Sequence, residues 1–106
     1  MDRSDIISLI ETLTEQDEFG VWQKRYTSRQ VFCQVESVSQ REFYEAGRNG
    51  LNPALKFTLF FGDYNNEPTL IYKGMTYAIY RTYQRKDDLL ELYCERKGGT
   101  NTVQSV

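Results

Sequence analysis

Apolar and polar residues alternate with a period of two over much of the chain, the pattern of strands that bury one face. The clearest case is Leu55, Phe57, Leu59 and Phe61, interleaved with Lys56 and Thr58. Residues 29–38 place Val31, Cys33 and Val35 on one side and Gln34 and Glu36 on the other, and residues 89–94 place Leu90, Leu92 and Cys94 on one face. Residues 6–14 are rich in leucine and β-branched side chains on both faces, which predicts a strand buried on both sides or bent by a bulge. The polar run 15–20 ends in Gly20 and predicts a hairpin turn into a strand over 21–26, with Trp22 and Tyr26 on one face and Lys24 between them. Segments 69–72 and 75–80 are expected to pair across Lys73-Gly74, where glycine permits the positive φ of a tight hairpin.

The period changes once. Ser39 is placed to cap a helix, and Glu42, three residues on, to reach back and close a capping box. Val38 and Phe43 occupy the positions of a hydrophobic staple. Residues 47–53 then carry two glycines and a proline, predicting an exposed, mobile connection, and residues 62–68 hold turn formers with no apolar face, predicting a surface loop. Residues 84–88 make a further polar turn. Seven strand-like segments and one helix predict a mostly β fold, a small antiparallel β-barrel or compact sandwich of six or seven strands with one short α-helix and long loops. At 106 residues the chain is one domain, 1–96, followed by a tail, 97–106, expected to be disordered.

Composition narrows the function classes. Thirteen Lys and Arg against fifteen Asp and Glu leave a net charge of −2 with no basic block, which argues against tight non-specific binding of nucleic acid. Histidine is absent, removing the commonest general base and metal ligand. Cys33 and Cys94 lie in predicted strands and read as small buried residues, two distant thiols being too few for a zinc site. The serines have no conventional base partner, and Asp87-Asp88 beside Arg85 and Lys86 reads as a turn rather than an acid–base pair. No enzyme activity, cofactor or metal is expected. No signal peptide or apolar run of the roughly 20 residues needed to cross a membrane is present, so synthesis in the cytoplasm and no membrane partner are expected. Aromatics, at 14% with eight tyrosines, are the excess. They predict cross-strand packing, a stacking platform for single-stranded nucleic acid at Tyr77, Tyr80 and Tyr83 beside Arg81 and Arg85, or protein contact at Tyr44 and Tyr64.

The order of these segments resembles the head-closure, or head-tail joining, proteins of long-tailed bacteriophages. The resemblance is carried by the Asp17-Glu18-Phe19-Gly20 turn, the Trp22 strand leading into Val31-Phe32-Cys33-Gln34-Val35, the run Ser39-Gln40-Arg41-Glu42-Phe43-Tyr44-Glu45-Ala46, the hairpin Ile71-Tyr72-Lys73-Gly74-Met75-Thr76-Tyr77-Ala78-Ile79 and the strand Leu89-Leu90-Glu91-Leu92. Many relatives have glycine at the position of Gln40 and a basic residue at that of Thr69, so a contact made by that basic group does not transfer. The resemblance implies a β-barrel that assembles as a ring beneath the portal, monomeric or not when isolated. Such a ring closes the filled head, retains its DNA and docks the tail. Implied partners are a portal-associated adaptor, a tail-completion or tail-terminator protein, further copies of the chain, and double-stranded DNA passing without sequence-specific binding. The implied location is the virion, after synthesis in the bacterial host. Candidate partner- or channel-facing residues are Arg41, Tyr44, Arg48, Asn49 and Asn52 on and after the helix, and Asp63, Tyr64, Asn65 and Asn66 in the second loop; Ser39 and Glu42 are the structural cap. The alternatives are a tail-completion protein and, in a different class, a single-stranded nucleic-acid-binding barrel.

Overall fold

A computed structural model describes residues 4–97. Six strands, β1 (Asp5–Gln16), β2 (Trp22–Ser37), β3 (Pro53–Phe60), β4 (Thr69–Tyr72), β5 (Met75–Gln84) and β6 (Leu89–Arg96), close into an antiparallel barrel in the order β1-β2-β3-β6-β5-β4. Helix α1 (Gln40–Gly47) lies between β2 and β3, and a short 3-10 turn (Phe61–Asp63) follows β3. The expectation of a disordered tail concerns a stretch that, beyond Lys97, lies outside the described residues.

The period-two pattern sets the inside of the barrel. Ile7 and Leu9 of β1, Val31 and Cys33 of β2, Phe57 and Leu59 of β3, Leu70 of β4, Tyr77 of β5, and Leu90, Leu92 and Cys94 of β6 form one continuous core. Phe57 is its centre, meeting the rings of Tyr72 and Tyr77 edge-on at 5.4 and 5.7 Å. Such edge-to-face pairs add to the burial of the rings themselves. Both cysteines are fully buried and unpaired. Burial pushes the Cys33 thiol up to about 12 and that of Cys94 higher still, which keeps both protonated and unreactive at neutral pH. At the Lys73-Gly74 turn both residues have positive φ, 50° and 79°, the primed geometry that matches the strand twist of a two-residue hairpin.

The structure corrects four sequence expectations. First, 21–26 and 29–38 are not separate strands: β2 runs unbroken for 16 residues, because β1 pairs with it from Asp5↔Cys33 to Gln16↔Trp22. Second, the alternation of 55–61 ends early. Phe61 enters the 3-10 turn and is exposed, while Thr58, on the face expected to meet solvent, is fully buried. Third, residues 62–68 are not merely a surface loop, since Glu67 is only 4% exposed. Fourth, the connection 47–53 is tied at both ends. The N–H groups of Gly50 and Leu51 bond the carbonyls of Gly47 and Ala46, and Pro53 is buried as the first residue of β3.

Barrel closure covers the edges of the core strands but leaves much of the β1-β2 hairpin without an outer partner. β1 pairs with β4 only at Ser8, Leu9 and Ile10, and β2 pairs with β3 only from Gln34 onward. The hairpin beyond the Ile10↔Ser28 pair therefore projects from the barrel as an arm. It lengthens the molecule to 49 Å against 31 and 23 Å in the other directions.

Candidate interaction surfaces

The topology assigns every projection to one of two barrel ends. At one end lie the start of β1, the β2-α1-β3 connection and the β4-β5 turn; at the other lie the arm, the loop 61–68 and the β5-β6 turn. The two groups of candidate residues are thereby separated. Arg41, Tyr44, Arg48, Asn49 and Asn52 belong to the helix end, and Asp63, Tyr64, Asn65 and Asn66 to the arm end.

At the helix end, the Ser39 hydroxyl accepts the Glu42 N–H at 3.1 Å, as a capping residue should. The reciprocal half of the capping box is not made. Instead the Glu42 carboxylate reaches the barrel, accepting the Tyr80 hydroxyl at 2.7 Å and the Arg81 guanidinium. Burial by itself would raise the Glu42 pKa, but hydrogen bonds from Arg81 and Tyr80 and the charge of Arg81 outweigh it and hold the carboxyl below the ordinary range. Arg81 also stacks on the Tyr93 ring at 4.0 Å, and the Tyr93 hydroxyl donates to Glu91 at 2.6 Å. Burial, reinforced by Glu91, pushes the Tyr93 hydroxyl up to about 12. Glu91 in turn faces Lys56 and Arg85. The helix is thus held to the barrel wall by Ala46, its one buried residue, and by a charged clamp. That docking leaves Phe43 and Tyr44 outward, 54% and 77% exposed, beside an open groove of ≈ 420 Å³ bounded by Gly47 and Arg48. Asn49 is turned to its own helix, its amide donating to the Glu45 carbonyl, and Asn52 gives its N–H to Glu95. All five of these residues are exposed, and Arg41, Tyr44 and Arg48 are those without such a side-chain or backbone tie to Glu45 or Glu95.

At the arm end, Glu67 organises the loop. Its carboxylate accepts Arg29 from β2 at 2.7 Å and the Asn65 N–H at 2.7 Å, while its carbonyl accepts the Tyr64 hydroxyl at 2.7 Å. Burial opposes ionisation, yet the Arg29 and backbone hydrogen bonds lower the Glu67 pKa below its ordinary value. Burial pushes the Tyr64 hydroxyl the other way, up to about 12. Tyr64 packs against the core, so Asn65 and Asn66 present the exposed surface of this loop and Asp63 is half-buried. Asn66 holds a left-handed φ of 61°.

The arm itself was not singled out by sequence. Every residue from 21 to 30 is exposed, including Trp22 and Tyr26 at 67% and 70%, and Phe19 stands at the apex at 82%. The apex is nevertheless ordered. Asp17 Oδ1 accepts the N–H groups of Phe19 and Val21 at 2.9 Å, its Oδ2 accepts the Gln23 amide, and the Gln16 amide donates to the Gly20 carbonyl. A signal for the arm did exist. The inward row of β2 reads Val35, Cys33, Val31 and then Arg29, Thr27, Arg25, while its partner row on β1 changes from Ile7 and Leu9 to Glu11. Alternation persists but the buried side ceases to be apolar at the Leu9↔Arg29 pair, where the hairpin leaves the core.

The proposed stacking platform is not assembled. Tyr77 is in the core, the Tyr80 hydroxyl is bound to Glu42, and of the three only Tyr83 is an exposed aromatic. Among the described residues no group of three or more His, Cys, Asp or Glu is placed to hold a metal ion, and no helix is long and apolar enough to cross a membrane. The fold defines the class to which the chain belongs, the small closed antiparallel β-barrels with a single short helix. In comparison with known proteins, no family model and no curated protein matches the chain.

Proposed function

We propose that this protein is a structural part of a long-tailed phage or prophage virion, a ring below the portal and its adaptor that closes the filled head and docks the tail. The observation that carries the reading is the two-ended barrel: an exposed aromatic helix at one end, an ordered hairpin arm at the other, and a rigid core between them. A connector must meet one partner above and a different one below while contacting its own copies sideways, and chemically distinct ends meet that demand. A heterologous contact between copies closes into a ring when the rotation allows. The order of segments that resembles head-closure proteins supports the same assignment. In this role the chain acts without catalysis or cofactor, the adaptor and the tail-completion protein are its partners, and double-stranded DNA passes without sequence-specific contact. It is made in the host cytoplasm and resides in the virion.

The test is nuclease protection of packaged genomes in lysates of the cognate phage lacking this gene, with and without the purified protein added back. Filled heads that lose DNA and fail to join tails, then recover on addition, are the expected result. Heads that keep their DNA while tails alone are defective would move the protein to the tail and make it a completion protein.

A further inference from the structure

Six residues of β1, 11–16, lie beyond its last β4 partner and carry Glu11 and Glu15 with no basic residue. The stretch of β2 that faces it, 22–27, lies beyond the β3 register and carries Lys24 and Arg25 with no acid. Both outer edges therefore present unpaired backbone donors and acceptors over roughly 20 Å. Such an edge is ordinarily shortened, bulged or covered, because it templates pairing with another chain. Here it is long, regular and stiffened at its apex by the four side-chain hydrogen bonds around Asp17 and Gln16. A preorganised edge loses little conformational freedom when it pairs.

We infer that the arm joins copies of this chain edge to edge, the free β1 edge of one copy pairing antiparallel with the free β2 edge of the next; the inference rests on the ring proposed above and names the surface that makes it. Three features specify a second copy as the occupant. Arms projecting in a common direction from a ring set an outgoing β1 beside a returning β2, which is the antiparallel arrangement. The two edges differ, so the contact is heterologous and propagates around a ring rather than stopping at a dimer. The charges on the shared face also match. Glu11, Leu13 and Glu15 form the row on β1, and Gln23, Arg25 and Thr27 form the row on β2, while Arg29, opposite Leu9, is already engaged by Glu67. Side by side, copies alternate an acidic strand with a basic one, so each acidic row has a basic row on both flanks. The Glu15–Arg25 pair at 3.2 Å inside one hairpin is the intramolecular version of that ladder.

Amide hydrogen exchange and sedimentation of the full chain at low salt, from about 10 μM to about 1 mM, span the range in which modest interfaces associate. Association accompanied by new protection confined to amides of 11–16 and 22–27 is expected, and added salt should reverse it. The charge logic is tested with two variants whose folding is checked by circular dichroism, Glu11→Arg/Glu15→Arg and Arg25→Glu/Thr27→Glu, which leave the apex hydrogen bonds in place. Each alone should weaken association at least about tenfold, and an equal mixture should restore it, because each supplies the opposite edge. A mixture no better than its components, or a monomer at every concentration, would overturn the edge pairing. Association that leaves the arm amides unprotected would overturn the arm's part while leaving the ring in place. The ring reading fails separately, if genome retention proves independent of the protein. The protection map needs no variant, so the inference stays testable even where a charge-reversed hairpin frays.

Discussion

Glu42 shows how one side chain is reassigned by its surroundings. Three residues after Ser39, it has the spacing of a capping-box partner, yet its carboxylate bonds Tyr80 and Arg81 on β5. The two halves of the motif therefore separate by experiment. Ser39→Ala should cost about 1 kcal/mol through loss of the cap. Glu42→Ala should cost about 1–3 kcal/mol, because it removes charge-assisted bonds to the barrel, and a cycle with Arg81→Ala should show coupling where one with Ser39→Ala does not. Urea melts of the three single and two double variants measure both. Arg29→Ala is expected to cost about 2–3 kcal/mol, less than for a fully buried pair because the Arg29 side chain is 45% exposed, while Glu67 would be left buried with only backbone donors.

Both carboxylates also bear on acid stability. Glu42 and Glu67 have pKa values lowered in the folded protein from an ordinary 4.5. The unfolded chain thus takes up these protons first as pH falls. Their contribution is complete above the ordinary value and declines as pH drops through the depressed folded values. The urea midpoint should fall below about pH 4.5, and Glu42→Gln/Glu67→Gln should flatten that fall while lowering the midpoint at neutral pH.

Among elements, the β4-β5 hairpin is the one whose turn and strands agree most closely. Lys73 adopts φ of 50°, a conformation that asparagine tolerates better than lysine. Lys73→Asn should raise stability by roughly 0.5 kcal/mol, measured as a shift of the urea midpoint without a change in slope. Helix α1 is the opposite case. With only Ala46 buried, it owes its position to the Glu42 clamp more than to an apolar face. Melting that clamp should release the helix before the barrel opens, so exchange of the α1 amides in Glu42→Gln should quicken while β6 amides stay protected.

For the whole molecule, the division between barrel and arm has an energetic consequence. The core lies entirely between the barrel strands, and among arm residues Leu13 is 39% exposed and Trp22 and Tyr26 more so. Replacing residues 14–24 by a two-residue Asn-Gly turn should leave the thermal midpoint within a few degrees of the parent, since surface removal away from packed contacts changes stability by about 0.5 kcal/mol or less. The same truncation should abolish concentration-dependent association. A large loss of stability would mean that the arm packs on the barrel, contrary to its exposure.

Much of the barrel was legible in the chain because alternation reports which side of a strand is buried. Val31, Cys33, Leu90, Leu92 and Cys94 fall inside as their spacing indicates, and the Lys73-Gly74 turn is written in its glycine. Period two does not report where a strand ends or what its partner is. Trp22–Ser37 reads as two pieces because Thr27 and Ser28 look like punctuation, and only pairing with β1 makes them one strand. Tyr44 and Asn65, candidates from two different segments, are distinguished by strand order, which sends those segments to opposite ends of the barrel. Local residue pattern alone determined the strands, the short helix, its Ser39 cap and most of the core, because those depend on contacts near in sequence or on the burial of one face. Tertiary structure decided barrel closure, the burial of Glu67 by Arg29, the docking of Glu42 on β5 and the projection of the arm. Each of these depends on groups brought together from distant parts of the chain, and a single strand's periodicity carries no record of its neighbours.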